Sequence, residues 1–488
     1  MERDRYVDFL RAWAIVLVVL GHWVITGLVR QPDGAITAPE LLATVPWTQW
    51  LTLGFQIMPL FFFAGGCAAG GSWARARERG VTVAGWVGRR AVRLLLPTGV
   101  YSGLVLVAVA VCAALGVDPV TLALVGWALA MQFWFLPVYL LVSALTPALY
   151  ALHLRWGPLA PAGTAGLALL VGVLDLAAGV PYVGALDYVL VWGVVYQLGF
   201  CLGDGLVAGG SRRVAVAMTV GGWSAFAALV GFGPFPVSLI LVTGQDPSNT
   251  NPPSAAMLAW AVGQVGACLL VAPVMRRLLE RERLWRVVRA TGAVSMTLYL
   301  WHMVPVLVIA AAFYLTGLAP QPAFSSAAWW GWRGPWLLVL VVVLVGVVRL
   351  LVPLERRLAS LERRLTSREL RAASRELRAA SPERRAASPE RRAASPERRA
   401  ASPEAGGPRV DAGPRRAWRL WAGLGLSVWA LTYFAGHGFA YGGRFPVWGA
   451  AGLAVGTVLV LTAGAGVTGV RGRTAQGRAQ EGALEEAA

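Results

Sequence analysis

The chain contains no lysine; all 43 of its basic residues are arginine. A phosphate-binding P-loop needs a lysine, so a P-loop motif is excluded, which argues against a nucleotide-driven pump. Charge is scarce as well. Only 14% of residues are charged against 57% apolar, and the mean hydropathy is +0.60, which excludes an ordinary soluble domain. Long alternating strand patterns are lacking, so nothing suggests a β-barrel. Cysteine is confined to Cys67, Cys112, Cys201 and Cys268, each inside an apolar stretch and none in a CxxC spacing. They read as small hydrophobes in packed helices. The four histidines are scattered, which leaves metal binding without support. RNA-recognition and zinc-finger patterns are lacking too, so the formal charge of +18 does not imply nucleic acid. The N-terminus has no A-x-A-like site followed by a polar start, and residues 9–29 read as a retained first span.

What is present is a series of apolar stretches. Twelve spans of about 20 residues can be drawn, at 9–29, 50–71, 94–115, 133–152, 159–177, 186–207, 214–232, 257–275, 291–315, 335–353, 417–436 and 446–466. The fold class is therefore all-α, a polytopic membrane protein. Arginines crowd every second connection, beginning with the N-terminus, while the connections between them carry at most Arg30, Arg333 or Arg444. By the positive-inside rule both termini face the cytoplasm of a multi-pass plasma-membrane protein. The stretch 117–132 reads as a short re-entrant or interfacial piece. Gly66/Gly70, Gly199/Gly203 and Gly452/Gly456 have the spacing of close helix crossings.

Residues 355–416 form the main internal boundary. Glutamate recurs every seven residues from Glu355 to Glu404, and the unit settles into Ser-Pro-Glu-Arg-Arg-Ala-Ala. Ala-Ala is a poor coiled-coil seam, and Pro382, Pro389, Pro396 and Pro403 interrupt any helix. The Pro-free part, to about Ala380, can extend the tenth span; the rest reads as a disordered basic linker, lying on anionic lipid or simply solvated. The chain thus divides into a ten-helix unit at 1–354, a linker at 355–416, a two-helix addition at 417–470 and a cytoplasmic tail at 471–488. A Pro-punctuated spacer cannot position a catalytic group, so the two added helices are expected to be dispensable for the chemical step.

The first span holds the most informative residues. On a helix, eleven steps bring His22 to within about 20° of Arg11 and about 16 Å above it. Asp8 lies a turn below Arg11 and reads as its partner or as a helix cap. Ionisable groups inside a bilayer are costly and mark sites, the alternative being a structural histidine bonded to a neighbouring helix.

Several motifs occur in order along the first ten spans. They are Asp8, Arg11, Ala14 and His22; Leu60-Phe-Phe-Phe-Ala64-Gly65-Gly66; Arg90-x-x-Arg93 with Arg89 adjacent; Trp134-Phe135-Leu136; and Ser295-Met-Thr-Leu-Tyr299-Leu-Trp301-His302. Together they resemble the membrane-bound acyltransferase-3 family over residues 1–353. Gly65 stands where serine is common in that family. The resemblance implies transfer of an acyl group from acyl-CoA, a donor co-substrate, to a hydroxylated acceptor on a glycan, lipid, cell-wall polymer or small molecule. No permanently bound cofactor is implied. Membrane lipids are the surrounding partners.

The residues make sense of that chemistry. A neutral imidazole at His22 suits removal of a hydroxyl proton, with Arg11 on the same stripe. Arg89, Arg90 and Arg93 suit the phosphates of a CoA donor; alternatively they are ordinary positive-inside anchors. Trp134, Tyr299 and His302 are candidate substrate-binding residues, with a satisfied core histidine as the second reading of His302. Asn249 and Asn251, in the Pro/Asn-rich loop 233–256, are candidate acceptor contacts or simply turn residues. His153 and His437 lie at span ends and read as incidental. A polytopic transporter or flippase is the competing function, against which stands the lack of a repeat of motifs between halves.

Overall fold

The computed structural model describes residues 4–204, 212–379 and 414–464. Helix α1 (Arg5–Ile25) is capped by Asp4, whose carboxylate accepts the Tyr6 N–H at 2.8 Å. The capping role open to Asp8 therefore belongs to Asp4, and Asp8 lies inside the first turn. A short antiparallel pair, β1 (Val29–Arg30) with β2 (Ile36–Thr37), follows. The chain then re-enters through a 3₁₀ turn at Pro46–Trp50 and a short helix at Leu51–Phe55, which lead into α2 (Met58–Glu78).

The remaining principal helices are α3 (Val83–Ala114), α4 (Pro119–Ala130), α5 (Phe135–Ala144), α6 (Thr146–Trp156), α7 (Leu159–Leu176) and α8 (Asp187–Gly203). They are followed by α9 (Arg212–Gly231), α10 (Ala255–Leu278), α11 (Glu282–Ala293), α12 (Ser295–Trp301) and α13 (Val304–Ile309). Then come α14 (Arg333–Ala379), α15 (Pro414–His437) and α16 (Val447–Gly464).

Among the described residues, 9 helical stretches are long and apolar enough to cross a membrane. A tenth is the pair Ser295–Trp301 and Val304–Tyr314, bent by 42°. The protein is an all-α, multi-pass membrane protein, and these ten correspond to the first ten expected spans. The stretch 117–132 is a correction. Asp118 caps α4 and Pro119 occupies its first position, two strong helix-start signals, so most of this stretch is helix. The fourth span accordingly runs Pro119–Ala144, broken by a 3₁₀ turn at Met131–Trp134. The bend in the tenth stretch falls at His302 and Met303, just before Pro305, which has no N–H to continue the helix.

One end of the bundle is arginine-rich. Arg5 donates to the Leu279 carbonyl at 3.0 Å and to the Glu282 carboxylate at 3.4 Å, and Arg276 reaches the Asp4 carboxylate at 3.2 Å, which ties α1 to α10 and α11. From that same end α14 continues past Leu354, where its apolar window stops, as one helix of 47 residues. The Pro-free repeats thus extend the tenth span. The Pro-containing repeats and the tail at 471–488 lie outside the described residues.

The small-residue spacings mark two crossings. A Cβ on Gly66 would overlap the Tyr196 carbonyl, and one on Gly199 would overlap the Phe63 carbonyl, so α2 and α8 touch backbone to backbone. Gly423 and Gly456 do the same for α15 and α16. That C-terminal pair is seated on the body. Phe434 and Phe439 are fully buried against Phe133, and the Phe439 N–H donates to the Gly126 carbonyl at 3.0 Å. Instead of hanging from a tether, α15 packs along α5 and α16 along α3.

A Gly199→Val chain should melt at a lower temperature in detergent, by the equivalent of about 1–3 kcal/mol, because α2 must back away. Gly221→Ala, where a Cβ meets no atom within 4 Å, should melt no lower than the parent. Equal melting of the two variants would show that the α2–α8 crossing is loose.

Candidate active site

Midway along the bundle, towards the end opposite the arginines, lies a cavity of about 1430 Å³. Helix α1 presents Leu17, Gly21 and His22 to it, α5 presents Phe135 and Val138, and α13 presents Val306. The wall is mostly apolar. Besides Glu40 and several threonines, its polar side chains are His22, Gln56, Gln132, Tyr188, Asn251 and Tyr299.

His22 sits there because the period of α1 turns it away from lipid and towards the bent tenth stretch. Its Nδ1 is 2.8 Å from Nε2 of His302, and the rings stack with centroids 4.9 Å apart. His302 is fully buried, with its Nδ1 2.9 Å from the Tyr299 carbonyl. The Trp23 indole donates to the His302 carbonyl at 2.7 Å. Burial favours neutral imidazoles, and the proton positions then follow from the partners. A carbonyl can only accept, so His302 carries its proton on Nδ1. Its Nε2 is then an acceptor, and His22 must donate from Nδ1. What remains is the His22 Nε2 lone pair, without a protein partner among the described residues, on a ring that lines the cavity. One backbone carbonyl thus sets the tautomer of both rings.

The other candidate residues separate into groups. Trp134, Tyr299 and Asn251 line the same cavity as His22. The Tyr299 hydroxyl is already spent on the Gln132 carbonyl at 2.7 Å, so that residue contributes its ring. Asn251 accepts a hydrogen bond from the Tyr188 hydroxyl at the cavity mouth. His302 stands behind His22 rather than on the cavity wall. Its alternative reading as a satisfied core histidine is thus half right: it is satisfied, and its partner is His22.

Asn249 is a correction. It is 1% exposed, donates to the Pro236 and Ser238 carbonyls at 2.6 and 2.9 Å, and accepts from Ser254 at 2.6 Å. A long loop without helix needs an internal anchor, and this amide is it: both its N–H donors are spent, and it is buried off the cavity wall.

Arg11, Arg89, Arg90 and Arg93 are not on the cavity wall; they belong to the arginine-rich end. Arg11 and Arg93 are exposed and Arg89 is half-buried. Arg90 is engaged within the protein. Its Nε donates to Ser143 at 3.0 Å and its guanidinium lies 4.9 Å from the Trp86 ring centroid, so it braces α3 against α5. His153 is not incidental: its Nε2 is 2.9 Å from the Asp204 carboxylate, which fastens α6 to α8. His437 stacks on Tyr433 at the end of α15.

Sequence reasoning missed Gln56 and Gln132. Gln132 is 1% exposed and bridges the Leu129 and Leu300 carbonyls at 2.9 and 3.3 Å. Gln56 donates to the Leu239 carbonyl at 2.6 Å and accepts at its own carbonyl from Gln264 at 2.9 Å. The available signal was a lone amide inside an apolar run, which must find partners within the protein.

Neither the curated proteins nor the solved structures contain a match to this chain. The family comparison does give one: residues 4–352, from the Asp4 cap to the end of the tenth span, match the model of the acyltransferase-3 family, described as an acyltransferase domain. With that match across the ten helical stretches that include the histidine pair and most of the cavity wall, the chain belongs to the acyltransferase-3 family of membrane acyltransferases.

Proposed function

We propose that the chain is an O-acyltransferase that moves an acyl group from cytoplasmic acyl-CoA to a hydroxyl of a glycan, lipid, cell-wall or small-molecule acceptor, with His22 as general base. The observation that carries this reading is the 2.8 Å contact between His22 and His302, which leaves Nε2 of His22 as the free basic atom at the cavity. In the transfer step, Nε2 takes the acceptor's hydroxyl proton while the oxygen attacks the thioester carbonyl. The C–S bond then breaks, and the departing sulfur recovers the proton from the imidazolium. His302 is a positioning residue. It holds the ring and its tautomer, and its Nε2 accepts the Nδ1–H more strongly when His22 is charged.

The donor's phosphates are assigned to the arginine-rich end, which this reading makes cytoplasmic. Arg89 and Arg93 lie about one turn apart on α3, and Arg11 projects from α1 about 16 Å below His22. A guanidinium fork matches a phosphate bidentately. Arg90, held by Ser143 and Trp86, keeps α3 in place for its neighbours. The pantetheine arm would bridge from the arginines to His22, which gives the spacing on α1 a purpose.

His22→Ala should stay folded and bind acyl-CoA, yet turn over about 100-fold more slowly, measured as free CoA release with acceptor present. Near-normal turnover would remove His22 from the base role. His302→Ala should lower kcat about 10- to 100-fold while the KM for acyl-CoA stays put; a change in KM alone would make it a binding residue instead. Arg93→Lys retains charge but loses the fork, and should weaken acyl-CoA binding about tenfold by calorimetry. If Arg93→Ala binds acyl-CoA like the parent, the arginines are topological anchors only.

A further inference from the structure

The cavity is built for more than a hydroxyl. Its walls are apolar well beyond the reach of His22, and one of them comes from outside the family's segment. Val428, Thr432, Ala435 and Gly436 of α15 line it, facing Val125 and Trp127 of α4. Among the described residues no arginine lines it, so the phosphate-bearing donor has no claim on this end. Exposed lining side chains on membrane-spanning stretches include two large apolar ones, Trp127 at 48% and Leu141 at 38%. Side chains exposed along an apolar membrane span face lipid rather than water. This wall carries the hydroxyls of Thr121 and Thr432, while the imidazole of His22 on α1 and the Tyr188–Asn251 contact by the mouth sit apart from it.

From this division we infer that the cavity takes the hydrocarbon tail of a membrane-borne, hydroxyl-bearing acceptor, entering sideways from the bilayer, and that α15 supplies the wall against the tail. The inference rests on the acyl-transfer reading of the same cavity. A tail along Val125, Val428 and Ala435 replaces lipid contacts with close-packed walls and holds the attached head at one depth. The hydroxyl then meets Nε2 of His22, while further head-group polarity meets Asn251 and Tyr188. An acceptor carrying no tail would leave the α4–α15 wall without an occupant.

The test uses the full chain in phosphatidylcholine nanodiscs with a photoactivatable hexadecanol, its diazirine placed in the alkyl chain. Labelling of the α4 and α15 peptides, read by mass spectrometry, should saturate with probe. Thr432→Trp and Gly436→Phe should each lower it at least tenfold. A Cβ at Gly436 meets no atom within 4 Å and Thr432 is exposed, so both side chains grow into the groove without displacing the core. Labelling at Val455 and Val458, exposed on α16, should not change. Labelling of α15 that rises linearly with probe, or is indifferent to both substitutions, would mean bulk lipid contact and overturn the inference. His22→Ala should label like the parent. Saturable labelling alongside an active His22→Ala enzyme would retain the tail site and remove the base; unsaturable labelling with an inactive His22→Ala enzyme would do the reverse.

Discussion

A hydrogen bond between two imidazoles, on helices 280 residues apart in sequence, is the point on which the interior turns. It ends a chain of polar contacts. From His22 the line passes to His302, to the Tyr299 backbone, through the Tyr299 hydroxyl to Gln132, and from Gln132 to the Leu129 carbonyl, which also accepts from Tyr101 at 2.7 Å. Four helical stretches are thus joined at one level. In a low-dielectric interior such a network is worth most when every member is partnered, and one missing partner exposes the cost of the rest. The bend at His302 belongs to the same arrangement. An unbroken helix would engage the Tyr299 carbonyl in its ladder alone; opening the turn lets the imidazole reach it.

This explains how much was legible in the sequence. The ten spans could be read because apolar length and arginine alternation are local signals. The helix at Pro119–Ala130 is hard to tell from an interfacial or re-entrant piece because its short apolar run follows a turn closely, although its Asp-Pro start points to a helix. His22 was visible as a costly group in an apolar helix. That His302 fixes its tautomer was not visible, since nothing local links residues so far apart. The role of Asn249 was misjudged for a related reason. Polar residues in a loop look available until the loop's own carbonyls are seen to occupy them. The arginines at the opposite end look alike in sequence, yet Arg90 is held by Ser143 while Arg93 is exposed.

The C-terminal pair shows a different kind of illegibility. A repetitive, Pro-bearing spacer separates it from the rest and suggests an appendage. What seats it is fine-grained: glycines at 126, 438 and 443 that allow backbone approach, and the aromatic cluster of Tyr101, Phe133, Phe434 and Phe439. None of these has a pattern that announces a docking surface. Aromatic faces gain beyond their area when they meet edge to face, as Phe133 does with both Phe434 and Phe439. A segment outside the family's limits has in this way become part of the wall of the cavity that the family's residues build.

The arginine-only character of the charged end carries a chemical corollary. Activated acyl thioesters modify nearby primary amines without any catalyst, and a lysine in a donor-binding surface would be a standing competitor for the group to be transferred. A guanidinium offers the phosphates equal charge and better geometry, yet stays protonated at any physiological pH and is no nucleophile. With no lysine anywhere in the chain, a thioester donor of the kind proposed would find no side-chain amine to acylate.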